Sequence, residues 1–153
     1  MLNFSIREFC AYDIEDLLIL MCELAEFEGY LNDFAIDANY LLQHGLEKEE
    51  PDFGILVAAV ESKLVGYLAY YTVPFTYYGH PNLVLKELYI SPDFRNQGIG
   101  RALMSKLIEF ARRHDAKNIQ WLVLKDNPSA RLFYENIGGI EDKKWDRWEL
   151  ALS

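Results

Sequence analysis

Residues 86–100 read Lys86-Glu87-Leu88-Tyr89-Ile90-Ser91-Pro92-Asp93-Phe94-Arg95-Asn96-Gln97-Gly98-Ile99-Gly100, and this stretch decides the fold. Leu83 to Ile90 has the composition of a strand. The residues after Gly100 place Leu103, Leu107, Ile108 and Ala111 on one face of a helix. A helix start carries N–H groups without intrahelical acceptors, and its dipole favours an anion there. Gly98 and Gly100 lack a Cβ, so a phosphate can approach the main chain closely, and Arg95 can add a charge-assisted bond. An ordinary glycine-bearing turn into a helix has the same spacing, so the Gly-x-Gly pattern alone leaves both readings open. Two rival phosphate motifs fail. Gly100 is followed by Arg101-Ala102 where a nucleoside-triphosphate loop has Lys-Ser/Thr, and Leu103 stands where a dinucleotide fingerprint has its third glycine.

The flanking periodicity predicts the remaining elements. Asn3 to Arg7 alternates apolar and polar as an opening strand does. Asp13 is placed to cap a helix bearing Ile14, Leu17, Leu18, Met21, Leu24 and Ala25, which should stop near Gly29. A second helix is expected from Asp37 to His44. Ile55 to Val60 and Leu64 to Thr72 read as strands of an antiparallel hairpin, joined by Glu61-Ser62-Lys63. Pro74 to Pro81 is irregular and aromatic. Arg112, Arg113 and His114 complement the negative end of the helix that follows Gly100. Ile119 to Leu124 is nearly continuously apolar, the mark of a strand buried on both faces. Asp126-Asn127-Pro128 starts a helix that runs to about Ile137 and closes at Gly138-Gly139, and Trp145 to Leu152 reads as a last strand. The order β-α-α-β-β-β-α-β-α-β is an α/β layout with one mixed sheet, without repeats or a linker, and predicts a single domain over residues 1–153.

The 153 residues carry 24 acids against 15 bases, a formal net charge of −9. The excess lies in the first third: residues 1–50 hold 12 acids and two bases, and the remainder is close to neutral. A net acidic chain without a Lys/Arg-rich arm is poorly suited to gripping phosphate backbones, so nucleic-acid binding is not expected. No apolar run approaches the roughly 18 residues of a membrane span. Arg7 and Glu8 interrupt the N-terminal residues where a signal peptide would be apolar, so a cytoplasmic protein is expected. Cys10 and Cys22 read as two buried thiols in a reducing compartment, with one disulfide between them as the other option. His44, His80 and His114 lack ligand spacing, and no metal site is expected.

Arg95-x-x-Gly98-x-Gly100 after the strand Lys86 to Ile90 resembles motif A of the GNAT superfamily of acetyl-CoA-dependent N-acetyltransferases. Asn127-Pro128-Ser129-Ala130-Arg131-Leu132-Phe133-Tyr134-Glu135-Asn136-Ile137-Gly138-Gly139 resembles the second motif of that family, an asparagine before a helix that ends in Phe-Tyr and then glycine. The element order agrees with the family over essentially the whole chain. Ile6-Arg7, Glu23-Leu24-Ala25 with Phe27-Glu28 after it, and Phe75-Thr76-Tyr77 resemble the diamine (spermidine/spermine) N-acetyltransferase group more closely. Two positions depart from that group: Lys86 and the pair Lys143-Lys144 stand where acids would meet a polyamine.

The resemblance implies a GNAT fold, a mixed central sheet splayed after its fourth strand with helices on both faces. It implies acetyl-CoA as co-substrate, its pantetheine arm bonded to the backbone of Leu88, Tyr89 and Ile90 in the splay. The pyrophosphate would then lie on Arg95, Asn96, Gln97, Gly98, Ile99, Gly100 and Arg101. It further implies that Tyr134 is the general acid for the departing thiolate, and a phenol with an ordinary pKa near 10 is protonated at neutral pH. As an alternative, Tyr134 is an aromatic on the buried face of its helix. Glu87 is the candidate acceptor for the amine's proton, or else a salt-bridged strand carboxylate. Asn127 bonds the pantetheine or caps its helix. Phe27, Glu28, Tyr78 and Glu87 are the candidate acceptor-binding residues, Glu28 also being readable as a solvated helix acid. The aromatic loop Phe75 to Tyr78 lines an acceptor pocket, packs on the core or forms a dimer interface.

The expected reaction is therefore acetyl transfer to a primary amine of a small cationic acceptor, a diamine, polyamine or related amine, by direct attack while both substrates are bound. A protein lysine or N-terminus is the alternative acceptor. A non-catalytic CoA-binding module is the third reading, against which stand Arg95, Gly98, Gly100, Asn127 and Tyr134. Dimerisation is common in the family, and the residues themselves do not decide it. The acidic first third would face a cationic amine, and Arg95 and Arg101 an anionic co-substrate.

Overall fold

A computed structural model describes residues 1–153, which form two compact units, 1–122 and 123–153. The first unit holds a five-stranded sheet in the order β1-β2-β3-β4-β5, with β1 Ser5–Glu8, β2 Gly54–Val60, β3 Lys63–Val73, β4 Asn82–Ile90 and β5 Ile119–Gln120. The first four strands are antiparallel neighbours and β5 lies parallel to β4, so the sheet is mixed, as expected. Glu61-Ser62 makes the turn of the predicted hairpin, with Glu61 at φ 57°.

Alternation along the strands divides the core into two layers. Ile55, Val57 and Ala59 of β2, Leu64, Tyr67 and Ala69 of β3, and Tyr89 of β4 face the helix α1 (Ile14–Glu28), which buries Leu17, Met21 and Leu24 against them. The short α2 (Ala38–Leu42) adds Leu41 to the same cluster. On the opposite face lies α3 (Ile99–Arg113), which buries Leu103, Met104 and Leu107, and its Phe110 meets the Tyr70 ring at 5.0 Å. Helices therefore cover both faces.

Two termini of α1 matter for the site. Gly29 ends the helix in the left-handed region at φ 85°, and Tyr30 N–H reaches back to the carbonyl of Ala25 at 2.9 Å. This left-handed glycine stop fixes the direction in which Tyr30 leaves the helix. At the other end Asp13 does not cap α1. Its carboxylate accepts Arg7 Nη1 at 2.6 Å, Arg7 Nη2 at 2.8 Å and Cys10 N–H at 2.9 Å, since a guanidinium fork outcompetes a single helix N–H for the same oxygens. Asp37 does cap α2, accepting from Tyr40 N–H at 2.8 Å.

Other expectations are corrected. Pairing of β5 covers only Ile119 and Gln120, against Leu83 and Val84, so the apolar run to Leu124 is not a strand buried on both faces; Leu122 is exposed. Cys10 and Cys22 are free thiols, but Cys10 is exposed and Cys22 half-buried. In the second unit α4 (Pro128–Asn136) forms where Asn127-Pro128 predicted it. Trp145 to Leu152 is not a strand: it has no ladder partner, and propensity without pairing does not make a sheet. No helix is long and apolar enough to cross a membrane.

Candidate active site

The strand β4 carries an irregularity at the position that matters most. Ala69 pairs with Glu87, but the next residue Tyr70 pairs with Leu85, so Lys86 is an extra residue that bulges from the ladder. A bulge bends a strand and re-aims its side chains. Here it leaves Lys86 exposed and Glu87 half-buried on the α1 face. Beyond Val84, β4 has no strand on its β5 side, whereas it continues to Ile90 against β3. The sheet thus opens along Leu88, Tyr89 and Ile90.

At the end of that edge the chain turns into α3. Ser91 N–H binds the Val65 carbonyl at 2.8 Å, Asn96 and Gly98 adopt left-handed φ values of 61° and 87°, and α3 begins at Ile99. The first helical bond is Ala102 N–H to Gly98 O at 3.0 Å, and no side chain caps the start. The N–H groups of Ile99, Gly100 and Arg101 therefore have no intrahelical acceptor, which is the arrangement that receives an anion. A Cβ built on Gly98 would meet no atom within 4 Å, so the turn is open on that side. Arg95 has another task as well: its Nε donates to the Ile90 carbonyl at 2.8 Å and its guanidinium lies 5.5 Å from the Tyr89 ring. Tyr89 in turn donates to Glu23 Oε2 at 2.9 Å, tying β4 to α1.

Glu87 sits in a cluster that sequence spacing does not reveal. Tyr30, 57 positions earlier, donates its hydroxyl to Glu87 Oε2 at 3.1 Å. Tyr67, fully buried on β3, points its hydroxyl into the same region, close enough to act on the Glu87 carboxyl but without a hydrogen bond of ordinary geometry. Burial pushes the Glu87 carboxyl up from the ordinary glutamate range; the Tyr30 hydroxyl and Lys86 pull the other way, Glu28 adds to the rise, and Tyr67 lowers it slightly. Glu28 is likewise raised by burial, with Lys86 opposing. Burial and the neighbouring Glu87 push both the Tyr30 and the Tyr67 phenols up, so both are donors at neutral pH. A carboxyl raised this way takes up a proton more readily than an ordinary glutamate.

The structure thus brings Glu28 and Glu87 together and adds Tyr30, Tyr67 and Lys86. Phe27 is exposed on α1. Tyr78 lies in the loop after β3, accepting from the Tyr77 hydroxyl at 3.1 Å, and Phe75 and Tyr77 are exposed, so this loop is not packed on the core. The tyrosines near Glu87 left no signal in the sequence beyond their being two of ten.

In the second unit, Asn127 is the N-cap of α4: its Oδ1 accepts Ala130 N–H at 3.1 Å, which leaves the amide Nδ2 as a separate donor. Tyr134 lies in the last turn of α4, with the Phe133 ring edge-on at 5.3 Å and its carbonyl accepting Gly139 N–H at 2.8 Å. No three His, Cys, Asp or Glu side chains are grouped closely enough to hold a metal ion.

Comparison with known proteins adds four findings. The model of the acetyltransferase (GNAT) family matches residues 18–139. Thialysine N-epsilon-acetyltransferase of Mus musculus is 31% identical over 97% of this chain and 91% of its own length. Spermidine/spermine N(1)-acetyltransferase-like protein 1 of Homo sapiens is 28% identical over 96% of this chain, though that is 22% of the human protein. Among solved structures, an aminoglycoside acetyltransferase from an uncultured soil metagenomic sample, in complex with sisomicin, superposes with a TM-score of 0.81. It covers 98% of this chain and 97% of its own, at 19% identity, a likeness of fold alone.

Proposed function

The chain belongs to the GNAT acetyltransferase family and is an acetyl-CoA-dependent N-acetyltransferase, and from that premise we propose that it acetylates a primary amine of a small acceptor by direct attack, with both substrates bound. The observation that carries this reading is Glu87, half-buried on the bulged strand at the mouth of the sheet opening, with its carboxyl raised by burial. An alkyl amine arrives as an ammonium ion. Its N–H bond breaks as an O–H bond forms on Glu87, and the freed lone pair attacks the thioester carbonyl. The C–N bond forms, the C–S bond breaks, and the nitrogen gives up its second proton to solvent. The thiolate takes a proton from Tyr134, in the role proposed for that residue; Tyr134 regains one from solvent, and Glu87 passes its own proton to solvent. One proton is released for each amide made.

The remaining roles follow from placement in each unit. The open edge at Leu88, Tyr89 and Ile90 would hold the pantetheine arm as an added strand, and the backbone N–H groups from Asn96 to Arg101 would hold the pyrophosphate. Arg95 ties the strand end to this turn. The family model crosses the boundary between the two units, which supports one acetyltransferase domain over residues 1–153.

Acceptor choice turns on charge. Glu28 and Glu87 suit a cationic amine, whereas Lys86 beside them disfavours an extended polycation and suits an acceptor that also bears a carboxylate. Thialysine, the acceptor named for the mouse relative, has that combination of amine and carboxylate. The test is thiol release from acetyl-CoA with thialysine, putrescine, spermidine and a basic peptide. Thialysine or putrescine should be turned over, and Glu87→Gln should lower kcat/KM about 100-fold or more. Activity on the peptide alone, or an unimpaired Glu87→Gln enzyme, would overturn the proposal.

A further inference from the structure

Glu87 is gripped by Tyr30 and faced by Tyr67, two tyrosines without a part in the proposed reaction. Tyr30 reaches it from the end of α1 because Gly29 turns the chain there and the Tyr30 N–H to Ala25 bond fixes the turn. Tyr67 reaches toward it along β3. In the ladder Tyr67 stands opposite Tyr89 and Ala69 stands opposite Glu87, so Tyr67 is the diagonal neighbour of Glu87 on the same face. A diagonal pair is within reach of a long aromatic side chain. Ala69, directly opposite Glu87, has a small side chain.

The Tyr67 hydroxyl is the anomaly. It is wholly buried and makes no hydrogen bond of ordinary geometry, although the Glu87 carboxylate lies close enough to act on it. Leaving a buried hydroxyl unsatisfied is costly, and such groups in folded proteins are served by ordered water when the site is polar enough. The polar groups available here are Glu87 and Tyr30.

We propose that Tyr30 and Tyr67 are a pair of positioning residues for Glu87, Tyr30 gripping Oε2 directly and Tyr67 through a bound water that reaches the carboxylate. The pair fixes the rotamer of the proton acceptor and keeps it ionised although it is half-buried. The catalytic meaning of the pair rests on the proposed role of Glu87; the pair itself does not. The charged and titratable groups facing Glu87 are Glu28 and Tyr30 from the α1 side, Tyr67 from β3 and Lys86 on its own strand. Of these, Tyr30 and Tyr67 can lose a hydroxyl without losing a ring or a formal charge.

The test uses the full chain labelled with carbon-13 at glutamate carboxyls, titrated by NMR as wild type, Tyr30→Phe, Tyr67→Phe and Glu87→Gln. Glu87→Gln identifies the resonance by its disappearance. A hydrogen bond to a carboxylate favours the charged form, so losing the Tyr30 donor should move the Glu87 midpoint upward, by about one pH unit. Tyr67→Phe should move it the same way by less. With acetyl-CoA and thialysine, the acid limb of kcat/KM should shift upward in parallel. A merely structural tyrosine would lower turnover without moving either midpoint. A Glu87 midpoint in Tyr30→Phe that superimposes on wild type overturns the direct grip, and an unmoved midpoint in Tyr67→Phe overturns the water-mediated one. Full turnover by Glu87→Gln would remove the catalytic meaning while the titrations still decide whether the pair exists.

Discussion

Alanine at Gly66 tests whether the end of β4 is held as rigidly as the site requires. Gly66 faces Ile90 across the β3–β4 ladder. A Cβ there would lie 2.7 Å from Ile90 Cδ1 and 2.9 Å from the Tyr89 carbonyl oxygen. The first neighbour is the tip of a flexible side chain and can swing aside. The second is backbone, and ordinary contact begins at 3.4 Å, so the two strands must part by about 0.5 Å. Gly66 is not among the residues with positive φ, so alanine itself is unstrained there. Its reduced freedom in the unfolded chain recovers about 0.4–1 kcal/mol. Against a typical overpacking cost of about 1–3 kcal/mol, the net loss should be roughly 1–2 kcal/mol. For a chain of this size that lowers the melting temperature by roughly 3–6 °C. The displaced Tyr89 carbonyl lies on the edge assigned to the pantetheine arm, so the KM for acetyl-CoA should rise more than kcat falls. Gly98→Ala is the contrasting control for stability alone, since Gly98 belongs to the turn proposed to hold the pyrophosphate. Its Cβ meets open space, and only the left-handed backbone at φ 87° opposes it, at about 1–2 kcal/mol. Calorimetry with steady-state kinetics reads both. A Gly66→Ala enzyme that melts with wild type and keeps its KM would refute the rigid-edge argument.

Two further outcomes follow. Asp13→Asn should cost roughly 1–3 kcal/mol at pH 7, the lower part of that range reflecting the half-exposed Arg7. Because Arg7 holds the Asp13 carboxyl below its usual range, that stabilisation is complete above the unfolded pKa near 3.9 and is lost as pH falls through the lower folded value, so urea midpoints of the two proteins should converge in acid. Asn127→Ala removes the cap of α4 and should cost about 1 kcal/mol. Asn127→Ser, which restores the cap and not the amide donor, separates stability from any effect on the KM for acetyl-CoA.

Local patterns were legible in the sequence wherever the causes were local. The strand, turn and glycines from Leu83 to Gly100, the Gly29 stop, the helix start at Asn127 and the hairpin joining β2 and β3 all depend on neighbours a few positions apart. The exceptions are instructive. Asp13 has the right type and place for a cap, but Arg7 competes for it from the adjoining strand. Trp145 to Leu152 has residues that suit a strand, but pairing is a property of two segments, and no second segment pairs with it.

The sequence by itself determined the family, the acetyl-CoA chemistry, the turn proposed to hold an anion and the candidacy of Glu87. Tertiary structure alone decided what surrounds Glu87. The bulge at Lys86, the early end of the β5 pairing and the convergence of Tyr30, Tyr67 and Glu28 join residues up to 59 positions apart, from Glu28 to Glu87. Ionisation of a carboxyl is set by burial and by the donors and charges that face it. Those are distances in space, and no spacing along the chain records them.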